Sequence, residues 1–446
     1  MNIFSSPHAA RCAIWRAAAA LACASAAAAS THAAPFAYIG NHGANTVTVV
    51  DVVNGSATAT IVTGAAPYGV ATSPNGAFVY VTDHRGNTVS VINAVTNRLV
   101  ATIPIGAQPT GVAVNATGSR AYAANFGANT LSVIDTAAKA QLSAISVGAQ
   151  PTGVAITPSD LFAYVSNSAA RSVSVVDLTT NATTGTISVE NNPLGVAISP
   201  SGARAYVANS GSASLSVIDT AGNSVVATVR VGGFPSGVAV SPDGSKVFVS
   251  NLFDKTVSVV RASDNVVTNT IAIGNTPVGI AVTRTGAQAV VANIEGDNVT
   301  RIDTLASSTV GSTAVGNAPA SLGNFVAYPP FCSLDADGDG ALSAATDGLL
   351  VVRYLLGFRG APLVSNAVGL TAPFTAAQIE GNLGALNMDI DADSVMRAPT
   401  DGLMLLRAML RLPTSTWANG VSNGAFSTAQ ALSWIAAEHG ANCLPP

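Results

Sequence analysis

The six residues "PTGVAV" (109–114) return as "PTGVAI" (151–156), 42 positions later, and a long stretch of the chain keeps that period. Proline recurs at Pro67, Pro109, Pro151, Pro193, Pro235, Pro277 and Pro319 without a slip. A second ladder runs through Tyr38, Tyr80, Tyr122, Tyr164, Tyr206, Phe248 and Val290. Three residues after each of its rungs stands Asn41, Asp83, Asn125, Asn167, Asn209, Asn251 or Asn293. A further ladder ends runs such as "TVTVVD" (46–51) at Asp51, Asn93, Asp135, Asp177, Asp219, Arg261 and Asp303. Seven units of 42 fill residues 35–328 with no remainder, and self-similarity at such a period marks a repeat architecture.

Within one unit, "GVAVN" (111–115), "SRAYAAN" (119–125), "TLSVID" (130–135) and "LSAISVG" (142–148) are short runs rich in Val, Ile, Ala and Tyr. Gly, Asn, Ser and Pro bound them, as they bound strands. Four strands repeated seven times predict an all-β, seven-bladed propeller. A helical solenoid would need helix-length segments at 3.6-residue spacing, and the units contain none. The region begins with the Tyr38 strand and ends with the strand after Pro319. The first blade is therefore one strand short, and the last segment is expected to supply it, closing the ring and removing its free edges. Proline stiffens the crossing between blades, and the glycine two residues later permits a tight turn or close backbone packing at the hub. The asparagine ladder reads as a cap of the following turn through side-chain to backbone bonds; the alternative is a polar ring lining a ligand site.

These units resemble the YVTN-type seven-bladed propeller repeat, as in "AYVANSGSASLSVIDT" (205–220) and "PSGVAVSPDGSKVFVSN" (235–251). The resemblance covers 35–328. The seventh copy, "PASLGN" (319–324), departs from it with Ser321 where the other six units carry glycine. Seven-bladed propellers include lactone hydrolases, whose sites gather acids, His or Arg around the channel. In that reading the irregular carboxylates Asp160, Glu190, Asp254 and Glu295 are candidates, and each also reads as a solvated loop charge.

Composition narrows the chemistry. The chain has 446 residues, 48% hydrophobic and only 9% charged. Residues 35–328 contain no Cys, Met or Trp, and their only histidines are His42 and His84. Haem, blue-copper and closed zinc sites draw on Cys, Met or several His, so a redox propeller is not expected. His42 and His84 occupy one position of adjacent repeats, where Phe126, Ser168 and Leu252 stand elsewhere. That variability reads as surface histidine, with metal binding or catalysis as the competing reading. The repeats hold 12 basic and 13 acidic residues, which provides no basic face for nucleic acid.

At the start, Arg11 and Arg16 precede an alanine-rich run and "THA" ends before Ala34. Residues 1–33 thus read as a secretory signal, and export to the exterior, the cell surface or the periplasm is expected. The stretch "ALAC" (20–23) offers a lipoprotein reading that its leading alanine fits poorly. No stretch has the length and hydropathy of a stable membrane span.

The tail, 332–446, carries two answering segments offset by 54 residues: "LDADGDGALSAATDGLLVVRYLLG" (334–357) and "MDIDADSVMRAPTDGLMLLRAMLR" (388–411). They resemble dockerin-type, EF-hand-like repeats, which implies a small, mostly helical domain that binds calcium. In the first loop Asp335, Asp337 and Asp339 fall on alternate positions, Gly340 follows for the sharp turn, Ala341 offers its carbonyl, and Asp347 closes the set. The second loop offers Asp389, Asp391, Asp393 and Asp401, with Ser394 in place of the turn glycine. The resemblance also implies a cohesin-like partner for the tail, although the last acid stands one position late. Cys332 and Cys443 bracket the domain, and in an oxidising compartment such a pair is expected to form a disulfide. The sequence thus describes an exported, non-enzymatic binding or scaffold protein with a protein or surface-glycan partner. The runner-up is a secreted lactonase-like hydrolase.

Overall fold

The computed structural model describes residues 35–328 and, from the tail, Leu350 alone. Strands run from Phe36 to Ala327 and form seven four-stranded antiparallel sheets. The blade beginning at Pro109 is representative. Its inner strand Pro109–Val114 is followed outward by Arg120–Asn125, Thr130–Asp135 and Ala140–Ser146. The two middle strands are buried along almost their whole length, because both faces of each sheet pack on neighbouring blades. The outer strand is mostly exposed and buries one residue, Ile145. Inner strands shift register after the proline, as between Pro109 and Val112.

That shift brings backbones together at the hub. A Cβ on Gly111 would lie 2.5 Å from the Thr152 carbonyl oxygen, and one on Gly153 would lie 2.5 Å from that of Leu194. The glycine ladder is thus a collar in which each inner strand rests on the backbone of the next. Ser321 lies against Gly40, where the other units carry Thr, Ala or Ser: its hydroxyl accepts from Gly40 N–H at 3.0 Å, and Leu322 N–H donates to the Tyr68 carbonyl.

The ring closes as the repeat phase predicts. Val326–Ala327 pairs with Phe36–Asn41, joining Phe36 to Ala327 and Ala37 to Val326. Tyr38 N–H donates to the Phe325 carbonyl at 2.9 Å, and Asn41 bridges Pro319.

The tyrosine ladder pins blade to blade. Its seven members are at most 3% exposed. Tyr38 Oη donates to the Ala94 carbonyl at 3.0 Å in the next blade, and Tyr164 Oη to the equivalent Thr220 carbonyl at 3.3 Å. A buried phenol needs such a partner. Phe248 lacks the hydroxyl, and there Lys246 Nζ reaches the equivalent carbonyl, that of Thr304, at 2.8 Å. Val290 also lacks it, and Arg301 Nη1, on the neighbouring strand, donates to the equivalent Val52 carbonyl at 3.0 Å. Gly55 leaves room for that guanidinium.

Candidate functional site

Each blade sends two connections to one face of the disc, here the upper face: the turn after its second strand and the crossing into the next blade. The other two turns lie on the lower face. Repetition identifies what is structural, and departures from it on the upper face mark the candidates for function.

The asparagine ladder is structural, in a form different from the expected cap. Asn125 Nδ2 donates to Thr130 Oγ1 at 2.9 Å and Ser132 Oγ at 2.8 Å, cross-strand hydroxyls rather than backbone. Asn41, Asn167, Asn209 and Asn251 do the same five and seven residues on, and Asn293 donates to the Asn298 amide oxygen and to Thr300 Oγ1. The turn itself is closed by the main-chain carbonyl, as Ala44 N–H and Asn45 N–H donate to Asn41 O. All seven ladder residues are fully buried, so they form no exposed ring for a ligand. Their Oδ1 atoms lack a hydrogen-bond partner, Asp83 included.

Asp83 is the one acid in that ladder. Its Oδ2 accepts from Thr88 Oγ1 at 2.7 Å and Ser90 Oγ at 2.9 Å. Burial outweighs these bonds and pushes its carboxyl up to about 6. The sequence reading treated it as an ordinary rung and missed this shift.

His42 and His84 are half-buried and meet, rather than standing as separate surface residues. Their ring centroids are 6.1 Å apart, and Tyr68 completes a near-equilateral triangle at 5.9 Å from His42 and 6.0 Å from His84. Phe126 extends the cluster at 6.5 Å from His84. Tyr68 immediately precedes the collar glycine Gly69, which sets the cluster beside the hub. Across the same face Phe234 and Phe253 pack at 4.7 Å, with Phe253 69% exposed.

The four irregular carboxylates do not converge; each has its own local partner. Asp160 sits in the lower-face turn at a positive φ of 59°, where Gly118 and Gly202 stand in neighbouring blades. It accepts from Ala116 N–H at 2.6 Å and Thr117 N–H at 3.0 Å, clamping two blades together. Glu190 accepts from Ser214 Oγ at 2.5 Å and Asp254 from Gly233 N–H at 2.8 Å. Glu295 accepts from Thr276 Oγ1. Among the described residues no group of three or more His, Cys, Asp or Glu is placed to hold a metal.

The side chains that line the channel are mostly apolar. Below the collar lies a chamber of about 300 Å³ walled by Val, Ala and Ile of the inner strands, with Thr72 and Asn324 as its polar side chains. At the collar it narrows to about 20 Å³ between glycines and Leu322. Residues 1–33, read from the sequence as a secretory signal, the acidic-loop residues Asp335 to Asp347 and Asp389 to Asp401, and Cys332 and Cys443 lie outside the described residues. Among the described residues no helix is long and apolar enough to cross a membrane.

The architecture defines a seven-bladed β-propeller of four-stranded blades. Residues 3–160 match the YNCE-like beta-propeller family. The fold is similar to a functionally unknown protein from Desulfotomaculum acetoxidans DSM 771, at 18% identity and a TM-score of 0.57, covering 65% of this chain and 99% of that one. It is also similar to the hydrazine synthase of Kuenenia stuttgartiensis, at 21% identity and a TM-score of 0.54, covering 57% of this chain and 88% of that one. These likenesses bear on the fold alone. No curated protein matches the chain.

Proposed function

We propose that the protein is an exported, non-enzymatic binding protein whose propeller is a rigid recognition disc for a protein or surface-glycan partner. The reading rests on one observation: the six rings of the turns and strand starts, His42, Tyr68, His84, Phe126, Phe234 and Phe253, share the upper face. Aromatic side chains are enriched in recognition surfaces because they contribute large contact area at low entropic cost. The uncharged channel wall and the locally tied carboxylates agree with it.

Photo-cross-linking from position 253, compared with position 305 on the lower face, tests the assignment on the secreted and surface fractions of the producing cell. Capture at 253 that is lost when Phe234→Asp is added and kept when Leu305→Asp is added is expected. Equal capture at both positions sinks it, and turnover of a lactone panel sinks the non-enzymatic reading. The tail in this proposal is a calcium-stiffened accessory domain. Calorimetry on the mature chain should record calcium binding whose tighter phase disappears in Asp337→Ala, and a heatless titration overturns that ligand set.

A further inference from the structure

The triangle of rings beside the hub has directed chemistry. His84 Nδ1 lies 3.1 Å from the Pro109 carbonyl oxygen. A carbonyl only accepts, so in the neutral ring Nδ1 carries the proton and the lone pair lies on Nε2. His42 occupies the same position one blade earlier. Its Nδ1 is buried without a hydrogen-bond partner, and the backbone of Ala66 and Pro67 lies beside the ring. His84 thus turns Nδ1 to the backbone and His42 buries its own, which leaves Nε2 as the available donor atom of each. An Nδ1–H held by a backbone carbonyl is the outer-shell arrangement of metal-bound histidines.

The spacing fits one shared ion. With metal–nitrogen bonds of about 2.1 Å and the nitrogen roughly 1.1 Å from the ring centre, an ion lies about 3.2 Å from each centroid. Two rings on one ion then stand between about 5 Å apart at a tetrahedral angle and about 6.5 Å apart in line. The observed 6.1 Å falls inside that window.

We propose that His42 and His84 together bind one divalent transition-metal ion of the zinc, nickel and copper group through their Nε2 atoms. The remaining positions stay open to water or to an incoming ligand on the upper face, since no third His, Cys, Asp or Glu converges there among the described residues. Imidazole pairs select these ions over calcium and magnesium, with copper the tightest. Tyr68 walls the site at about equal distance from both rings. Arg85, exposed beside His84, opposes the cation and limits its affinity. The site is independent of the recognition role proposed above.

Isothermal titration of the mature full-length protein with Zn²⁺ and Cu²⁺, in excess calcium to occupy the acidic tail loops, tests the assignment. One ion per chain is expected. His84→Phe and His42→Phe should each weaken binding tenfold or more; His84→Phe copies the ring that Phe126 supplies one blade on, so ring packing survives. Arg85→Ala should tighten binding, and His439→Ala, which removes the tail's histidine, should leave it unchanged. Copper-loaded wild type should give an electron paramagnetic resonance spectrum with two equatorial nitrogens, reduced to one in either Phe variant. Wild-type affinity in both Phe variants, or absence of zinc and copper binding in the wild type, overturns the proposal.

Discussion

Asp83 stands where six other blades place asparagine, and the substitution has a thermodynamic sign. An unfolded aspartate titrates near 3.9, whereas burial holds Asp83 up to about 6, so the folded state binds the proton more tightly. Its contribution to stability is fully present below about pH 4 and is lost as pH rises through about 6. Asp83→Asn restores the amide that donates to the two hydroxyls in the other blades. With chelator present it should stabilise the protein by about 2–3 kcal/mol at pH 8, and by little at pH 4, in urea unfolding. A gain independent of pH would contradict the assigned cause. Glycine at the collar is a second single-residue constraint. A Cβ at Gly153 meets a carbonyl that is itself fixed in the next blade, so Gly153→Ala should cost about 2–3 kcal/mol, whereas Gly185→Ala, whose nearest neighbour is at 3.7 Å, should cost far less.

At the scale of strands and blades, the carbonyls that receive the tyrosines show how the repeat tolerates its own decay. Where Phe248 and Val290 replace tyrosine, Lys246 and Arg301 donate to the equivalent carbonyls from nearby rungs. Arg301→Val restores the repeat residue yet removes the donor, and should cost about 1–3 kcal/mol because a buried carbonyl loses a charged partner. Val290→Tyr combined with Arg301→Val should recover at least half of that loss in the urea midpoint. A double variant no better than the single one would reject the equivalence. The strands, the blade number and the shared closing blade were legible in the sequence because each rests on a property repeated in every unit. The compensations were not, since a lysine and an arginine in different strands look like random surface charges until both prove to reach the same kind of carbonyl. The ring triangle was hidden for a related reason: His42 and Tyr68 are 26 positions apart, off the 42-residue period. The asparagine ladder reads as structural from its repetition, but its bonds run across the sheet because the neighbouring strand places Thr or Ser opposite it in every blade but one, where Asn298 faces Asn293.

At the scale of the molecule, a closed ring is only as strong as its seam. Elsewhere the inner strand belongs to the same unit as its neighbours, and Pro109–Val114 pairs with its neighbour from Pro109 to Val114. At the seam the inner strand arrives from the far end of the repeats: Val326 and Ala327 pair with Ala37 and Phe36, the Phe325 carbonyl accepts from Tyr38 N–H, and Pro319 bridges Asn41. Phe325, Leu322 and Ala320 supply the buried apolar surface that holds this short piece in place. Opening there exposes the edge of Phe36–Asn41, so the seam should be where the ring first fluctuates. Phe325→Ala removes a fully buried ring and should cost about 3–5 kcal/mol. Its effect on hydrogen exchange should be local before it is global. Amides of Phe36–Asn41 should lose protection under conditions in which Arg204–Asn209, in the fourth intact blade, keep theirs. Uniform loss of protection across both strands would mean that the ring unfolds as one cooperative unit, with a seam no weaker than its other joints.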